Sequence, residues 1–440
     1  SSAASDVYKR QLISHEARSY QKFMQAYSSI TGKSLYGGTL KKISESRAVI
    51  ILGTKINDDS PNVKYYINMA SKWQSARVAY MHPIEDPEIQ NIVTQFIKYE
   101  AGSEEGVAAL LVETLLKDVE VPKAIRSFLD DLDIGNLSAE SNIGEEELVF
   151  LAKSLIKKSG FSLVVGSDLY AHPKAVQIAK LLALLEQYAG FNVVCVPPAG
   201  NAMGISLICD LDDEAEGKTV GYNVPADFTL SALGDGDLDM PAMNQQEGTL
   251  TTNDNRVVPM NVALPYGGYV LNDIANALGL DAEYTIEYTK ELPVAKGFEA
   301  EEFDSLPDYF DSVGNEHRGY LLKSMKTSVS RTLEEVSDMA GFDGAVIYNC
   351  NPTEQFSAFT AKCKALETES FLLGSQQFAT ATKLQDGESI SYTVDGVCFN
   401  RVFKLDRSMK GTIALNPTFD MGLSASLLSS YRFSRLDFER

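Results

Sequence analysis

Cysteine is scarce in this 440-residue chain, and Cys195, Cys209, Cys350, Cys363 and Cys398 form no CxxC pair. An iron–sulfur cluster needs about four thiolates, two or three of them from one loop, so none is expected within these residues. The odd, scattered count argues against a disulfide framework and suits a reducing cytosol, and isolated cysteines among apolar neighbours are expected to be packing. Histidine is rarer still. His15, His82, His172 and His317 lie in four separate segments, which excludes a zinc site of short ligand spacing; His82 and His172 follow expected strand ends and read as polar residues of surface loops. Basic residues are outnumbered, 39 against 60 acidic, for a formal charge of -21. That surplus repels a phosphate backbone, so no nucleic acid is expected as a partner. The longest apolar stretches, such as Ala48 to Leu52 and Leu181 to Leu185, are far below the roughly 20 residues that cross a bilayer, so no direct membrane insertion is expected. Also missing are a GxSxG nucleophile elbow, the Gly-Lys-Ser/Thr ending of a phosphate-binding loop, a secretory leader pattern and any repeat of solenoid period.

Hydrophobic residues make up 44 % of the sequence. That suffices for real cores, and the length calls for roughly two to four domains. Residues 1–11, SSAASDVYKRQ, resemble a translated sequencing adapter and are set apart; on that reading the chain is a fragment lacking whatever precedes Leu12. Residues 12–160 read as a first α/β domain: an amphipathic helix from Ala17 to Ile30, a buried parallel strand in the run Ser46 to Gly53, a helix from Asn62 to Trp73, and a second strand from Ala76 to Met81. A right-handed crossover places Gly53 and His82 at the carboxyl edge of one sheet, where doubly wound folds bind ligands. The stretch from Gly102 to Lys157 reads as helical, interrupted by a loop from Asp130 to Gly144. Residues 161–285 repeat the scheme as a second α/β domain, with strands Ser162 to Gly166 and Asn192 to Val196 around a helix from Ala175 to Tyr188, and a turn at 198–204. Leu211 to Asp239 reads as acidic surface loop around one buried strand. Asp210, Asp212 and Asp213 read as a solvated face.

Met240 to Pro259, MPAMNQQEGTLTTNDNRVVP, reads as a contact loop, with Glu247 and Arg256 as an internal pair that fixes its shape. Residues 286–340 form an acidic connection with one amphipathic helix, about Tyr320 to Met339. In 341–440, short alternating segments with Gly and Asp turns predict a small C-terminal β-barrel.

Several of these pieces resemble the molybdopterin oxidoreductase fold, in the version carried within bacterial NADH-quinone oxidoreductase, respiratory complex I. The 240–259 segment is similar to that family's glutamate-glycine-threonine loop. Arg47-Ala-Val-Ile-Ile-Leu-Gly-Thr54 followed by Asp58-Asp-Ser-Pro61 resembles its first strand and proline-led helix, and Tyr99-Glu-Ala-Gly-Ser-Glu-Glu-Gly-Val-Ala-Ala109 a degraded form of its proline-glycine-threonine-aspartate turn. Phe161-Ser-Leu-Val-Val-Gly166 and Ala199-Gly-Asn-Ala-Met-Gly204 resemble pieces of the second α/β domain. Asp386-Gly-Glu-Ser-Ile-Ser-Tyr-Thr-Val-Asp-Gly396 and Lys410-Gly-Thr-Ile-Ala-Leu415 resemble the terminal barrel.

The resemblance implies two Rossmann-like three-layer α/β domains followed by a β-barrel, with Gly53, Asn57, Gly166 and Asn201 lining a vestigial cofactor cleft. It also implies iron–sulfur clusters in a missing upstream region, other peripheral-arm subunits of complex I as partners, and a place at the cytoplasmic side of the bacterial inner membrane held through those subunits. Two departures bear on chemistry. No Cys stands near Met24 to Ser34, where active members supply a metal ligand, and Met81-His-Pro-Ile-Glu85 lacks the Arg of the family's aspartate-proline-arginine. The expectation is therefore a structural segment without catalytic residues, metal or cofactor of its own. Alternatives are a catalytic, formate dehydrogenase-like molybdopterin enzyme whose metal ligand lies outside the fragment, and a nucleotide-binding module.

Overall fold

The structure is a computed structural model that describes residues 11–155, 160–277, 279, 286–339, 344–363, 365–366 and 369–436. Most of the adapter-like stretch and the end of the expected 102–157 helical region lie outside the described residues. Contacts group the chain into two compact units: a larger one from Lys22–Val196, Thr327–Met421 and Leu428–Arg440, and a smaller one from Ser1–Gln21, Pro197–Lys326 and Gly422–Leu427.

Two helices, α1 (His15–Thr31) and α2 (Leu40–Glu45), lead into the first sheet; the side chain of Thr39 caps α2 by accepting from the Lys42 N–H at 3.2 Å. Strand β1 (Ala48–Leu52) is buried along its whole length, as expected for a parallel strand covered on both faces. Helix α3 (Pro61–Gln74) starts with proline at its first turn, where no N–H is needed, and ends at Ser75 in the left-handed region. Strands β2 (Arg77–Met81) and β3 (Gln95–Ile97) follow, then helices α4 (Glu104–Leu116), α5 (Lys123–Asp130), α6 (Ile134–Ser141) and α7 (Glu145–Leu155). Helix α6 occupies part of the expected 130–144 loop. Its start is fixed by the Asp133 carboxylate, which accepts from the Asn136 N–H at 3.0 Å. The sheet resumes with β4 (Phe161–Val165), helix α8 (Ala175–Ala189), closed by Gly190 at φ 69°, and β5 (Asn192–Cys195).

These five strands form one parallel sheet in the order β3-β2-β1-β4-β5. Where the sequence predicts two Rossmann-like sheets, β4 pairs with β1 from Ala48↔Phe161 to Leu52↔Val165, and the two βαβ runs are halves of a single sheet. The strands of both runs are largely apolar, so pattern alone shows two buried parallel pairs without showing that the inner strands are neighbours. The order reverses between β1 and β4, and the loops after Leu52 and Val165 meet at that switch point.

In the smaller unit, Ala17, Ala202 and Leu211 form a local core, and Arg18 bonds Asp213 at 3.2 Å. The 211–239 tract holds three short parallel strands, β6 (Val220–Tyr222), β7 (Phe228–Ser231) and β8 (Leu238–Asp239), where the sequence predicts one. Tight turns between them are pinned by carboxylates: Asp227 accepts from the Thr219 N–H and Asp237 from the Thr229 N–H, each at 2.8 Å.

The expected contact loop at 240–259 is a hairpin of β9 (Gly248–Thr251) and β10 (Arg256–Met260), extended by β11 (Tyr320–Leu321). Its Asn253-Asp254-Asn255 run makes the turn, with Asn255 at φ 56°. Arg256 donates to the Arg318 carbonyl at 2.8 Å and lies 3.9 Å from Glu316, so its acidic neighbour is Glu316 and not the expected Glu247. The expected helix from Tyr320 to Met339 is absent beyond β11: the chain runs extended. In the larger unit this strap is tied down by Thr327 N–H to the Gly32 carbonyl at 3.1 Å and by the Gln177 side chain, which bonds both the N–H and the carbonyl of Glu334.

The second sheet of the larger unit comprises β12 (Val346–Asn349), β13 (Phe371–Gly374), β14 (Ser389–Val394), β15 (Val397–Leu405), β16 (Ile413–Asn416) and β17 (Phe433–Arg435). The order is β14-β15-β13-β16-β12-β17. It is a curled half-barrel and not the closed barrel expected, because its edge strands β14 and β17 do not pair. Strict alternation along Ser389–Val394 turns Ile390, Tyr392 and Val394 inward against Phe399 and Phe403. No described helix is long and apolar enough to cross a membrane.

Candidate functional site

Backbone geometry at the switch point comes first. Gly53 has φ 68°, a left-handed conformation that an L side chain resists, and a Cβ there would lie 2.8 Å from Leu169. Gly166 is held by close approach: its N–H donates to the Leu52 carbonyl at 2.8 Å, and an added Cβ would lie 2.1 Å from the Gly53 carbonyl oxygen. The two loops are thus pressed together, and the following residues, 54–60 and 167–170, rise from one seam.

What fills that seam is a buried polar network. Asp168, His82 and Tyr348 are exposed by only 1, 0 and 0 %. The Asp168 carboxylate takes the Tyr348 hydroxyl at 3.1 Å and His82 Nε2 at 3.0 Å. His82 Nδ1 lies 3.0 Å from both the N–H and the carbonyl oxygen of Ile84, and the tautomer in which it accepts from that N–H carries its proton on Nε2, facing Asp168. Arg432, just before β17, lies 3.0 Å from Asp168 and donates to Asp59 at 2.9 Å, to Ser167 Oγ at 3.3 Å and, through Nε, to the Asn349 carbonyl at 2.8 Å. Its guanidinium also stacks 4.5 Å above the Tyr348 ring. Burial works to lower the Arg432 pKa, but Asp59 and its other acidic neighbours outweigh it and hold the group firmly cationic.

A second knot sits beside it. Lys55 donates to Asp58 at 2.6 Å, Thr353 donates to Asp58 at 2.7 Å, and Asn57 donates to Thr353 at 2.7 Å while accepting from Lys64. For Asp58 burial acts upward, yet Lys55 and these donors bring its carboxyl below the usual range. Cys350, buried nearby, is pushed up to about 11 by burial, which Lys55 and Arg432 only partly oppose, so it stays a thiol at neutral pH and is no nucleophile.

The expected site residues are therefore divided. Gly53, Asn57 and Gly166 come together at the seam; Asn201 belongs to the smaller unit, where it stands at φ 62° and its side chain accepts from the Thr251 N–H at 2.8 Å. His82 and His172, expected in surface loops, are buried. His172 lies 3.2 Å from Glu104, Tyr431 donates to the same carboxylate, and a cavity of about 150 Å³ adjoins them under Ser337 and Met339. Asp168, Tyr348 and Arg432 escape sequence reasoning. Asp168 alone leaves a trace, as an acid two residues past a strand-ending glycine; its partner Tyr348 is 180 residues away.

The chain aligns over 94 % of its length with 77 % of acetylene hydratase from Pelobacter acetylenicus, at TM-score 0.63 and 9 % sequence identity. The fold is of the molybdopterin type. No protein-family model and no curated protein matches the sequence.

A molybdopterin-type fold raises the question of whether a pterin dinucleotide suits this seam. It does not. Asp168 donates its N–H to the Gly53 carbonyl at 3.1 Å, and its carboxylate draws Arg432, Tyr348 and His82 into the seam above the two glycines. Lys55 and Arg432, the cations a pyrophosphate would need, are already engaged by Asp58, Asp59 and Asp168. Displacing them would leave buried carboxylates without a countercharge beside an incoming anion, at a cost of several kcal/mol per ion. Among the described residues no group of three or more His, Cys, Asp or Glu could hold a metal ion. What this arrangement does is join the carboxyl edge of the parallel sheet to strands β12 and β17 of the curled sheet.

Proposed function

We propose that the chain is a structural, non-catalytic version of the molybdopterin oxidoreductase body, of the kind carried within bacterial NADH-quinone oxidoreductase. One observation carries this reading: the ligand seam of the parallel sheet is closed by the chain's own Arg432, Tyr348, His82 and Asp168. A catalytic body needs that edge open, while a scaffold gains from locking it. In this reading the chain supports electron transfer in the peripheral arm of complex I by positioning a cluster-bearing region upstream and neighbouring subunits, and it associates with the membrane only through them. The departures near Met24 to Ser34 and at Met81 to Glu85 support the same conclusion. They remove a metal ligand and a phosphate-binding arginine.

The test is elemental and pterin analysis of the full-length protein purified from its native source, together with its sedimentation. Background molybdenum and tungsten, no pterin, and co-sedimentation with NADH-quinone oxidoreductase activity are expected. Stoichiometric molybdenum with pterin would overturn the scaffold reading in favour of a formate dehydrogenase-like enzyme.

A further inference from the structure

At the β3 edge of the parallel sheet, away from the closed seam, the loop from Glu85 to Gln95 covers a cavity of about 200 Å³ lined by Tyr80, Glu85, Asp86, Gln90, Gln95 and Phe96 among others. Two of its polar groups are deeply buried and unused. Tyr80 is 1 % and Asp86 2 % exposed, and neither the Tyr80 hydroxyl nor Asp86 Oδ2 has a hydrogen-bond partner. Asp86 Oδ1, by contrast, caps the short helix that follows, accepting from the Glu88 N–H at 3.1 Å. A buried carboxylate oxygen and a buried hydroxyl without partners are costly, and native chains retain such groups where something else satisfies them.

The lining defines what that something is. Asp86 and Glu85 supply carboxylates, Asp86 with Lys55 as a nearby charge but with no hydrogen bond to Oδ2; Tyr80 stacks between His82 and Phe96, each ring centre 5.6 Å away, and Gln90 at the exposed mouth donates to Glu85 at 3.2 Å. The exposed Lys410 stands 3.6 Å from Glu85 and pairs with it at the rim, which leaves Asp86 as the carboxylate for an incoming cation. Carboxylate and phenol oxygen beside the Phe96 ring together recognise a compact cation with donors on a short apolar stem. We propose that this cavity is a binding site for an alkylammonium or guanidinium group. It can arrive as a free small amine or as a Lys or Arg side chain of a partner protein, and both present the same head to Asp86 Oδ2 and Tyr80.

The experiment is calorimetric titration of the full chain with n-butylammonium and, as the neutral isostere, 1-butanol, followed by blocked Gly-Lys-Gly and Gly-Arg-Gly peptides. Saturable binding of the amine is expected, with 1-butanol weaker by about tenfold or more. Asp86→Asn, which keeps the Oδ1 cap, and Tyr80→Phe, which removes only the unpartnered hydroxyl, should each lower amine affinity while the thermal midpoint at neutral pH does not fall. Peptide binding at least as tight as the amine would identify a partner's side chain as the ligand; amine binding without peptide binding would identify a free amine. Equal affinity for amine and alcohol, no binding of any probe, or unchanged affinity in the Asp86→Asn/Tyr80→Phe double variant would overturn the proposal.

Discussion

Replacing Arg432 with methionine is the sharpest probe of the closed seam. Methionine keeps much of the apolar stem but removes the cation that neutralises Asp59 and Asp168 and the donors to Ser167 and the Asn349 carbonyl. Asp168 would retain Tyr348 and His82 as donors, and Asp59 would retain Thr54 at 2.6 Å. Removing one member of a buried ion pair costs about 3–5 kcal/mol. The Arg432 side chain keeps 20 % of its surface, so water screens part of the loss and the lower end, about 3 kcal/mol, applies. At roughly 2 °C per kcal/mol for a large domain, the transition of the larger unit should fall by about 6 °C in differential scanning calorimetry. An Arg432→Met/Asp59→Asn cycle should show a coupling energy of at least about 1 kcal/mol, because the two groups share one hydrogen bond. A midpoint lowered by less than about 1 °C, with additive single costs, would show that the network is not what binds the two sheets.

Other consequences are testable in parallel. Gly166→Ala places a Cβ 2.1 Å from a backbone carbonyl oxygen that cannot rotate away, so a loss above about 3 kcal/mol is expected, read as a lowered denaturant midpoint or failure to yield folded protein. Asp86→Asn should stabilise the chain near pH 7. Burial, more than any other influence, raises the folded pKa of Asp86, so its contribution to stability is fully present below the unfolded value of about 3.9 and is lost as pH rises through the folded value. Thermal midpoints of wild type and variant should therefore differ at pH 7 and converge towards pH 4; equal midpoints at both would refute the assignment.

Much of the architecture is written locally. The apolar run Ala48–Leu52, the proline-led helix α3 and the glycines ending β1 and β4 each carry their structure in a few adjacent residues, and the sequence predicts them within a residue or two. Elements whose state is decided by distant neighbours are not legible in this way. The Gly248–Met260 hairpin is rich in Gln, Asn and Thr and carries Pro259 inside a strand, so composition speaks for a loop; pairing with β11, some 60 residues on, makes it a sheet. Tyr320 to Met339 has helical spacing of apolar residues but lies extended, its backbone groups satisfied by Gly32, Ser29 and Gln177 and not by its own turns. The site divides along the same line. Gly53, Asn57 and Gly166 can be named because strand ends mark them, whereas Asp168 acquires its meaning only when Tyr348 and Arg432 arrive from far along the chain.

The seam's last cation lies 373 residues beyond its carboxylate partner Asp59. At a synthesis rate of about 5–20 residues per second, a nascent chain carries Asp59 without Arg432 for roughly 20–75 s. Until Arg432 arrives the 48–195 sheet cannot dehydrate its upper rim, and the strand that does so emerges long after the sheet itself. Emergence of Arg432 and β17, and not collapse of the early strands, then sets the moment at which this half of the molecule becomes resistant to proteases and independent of chaperones.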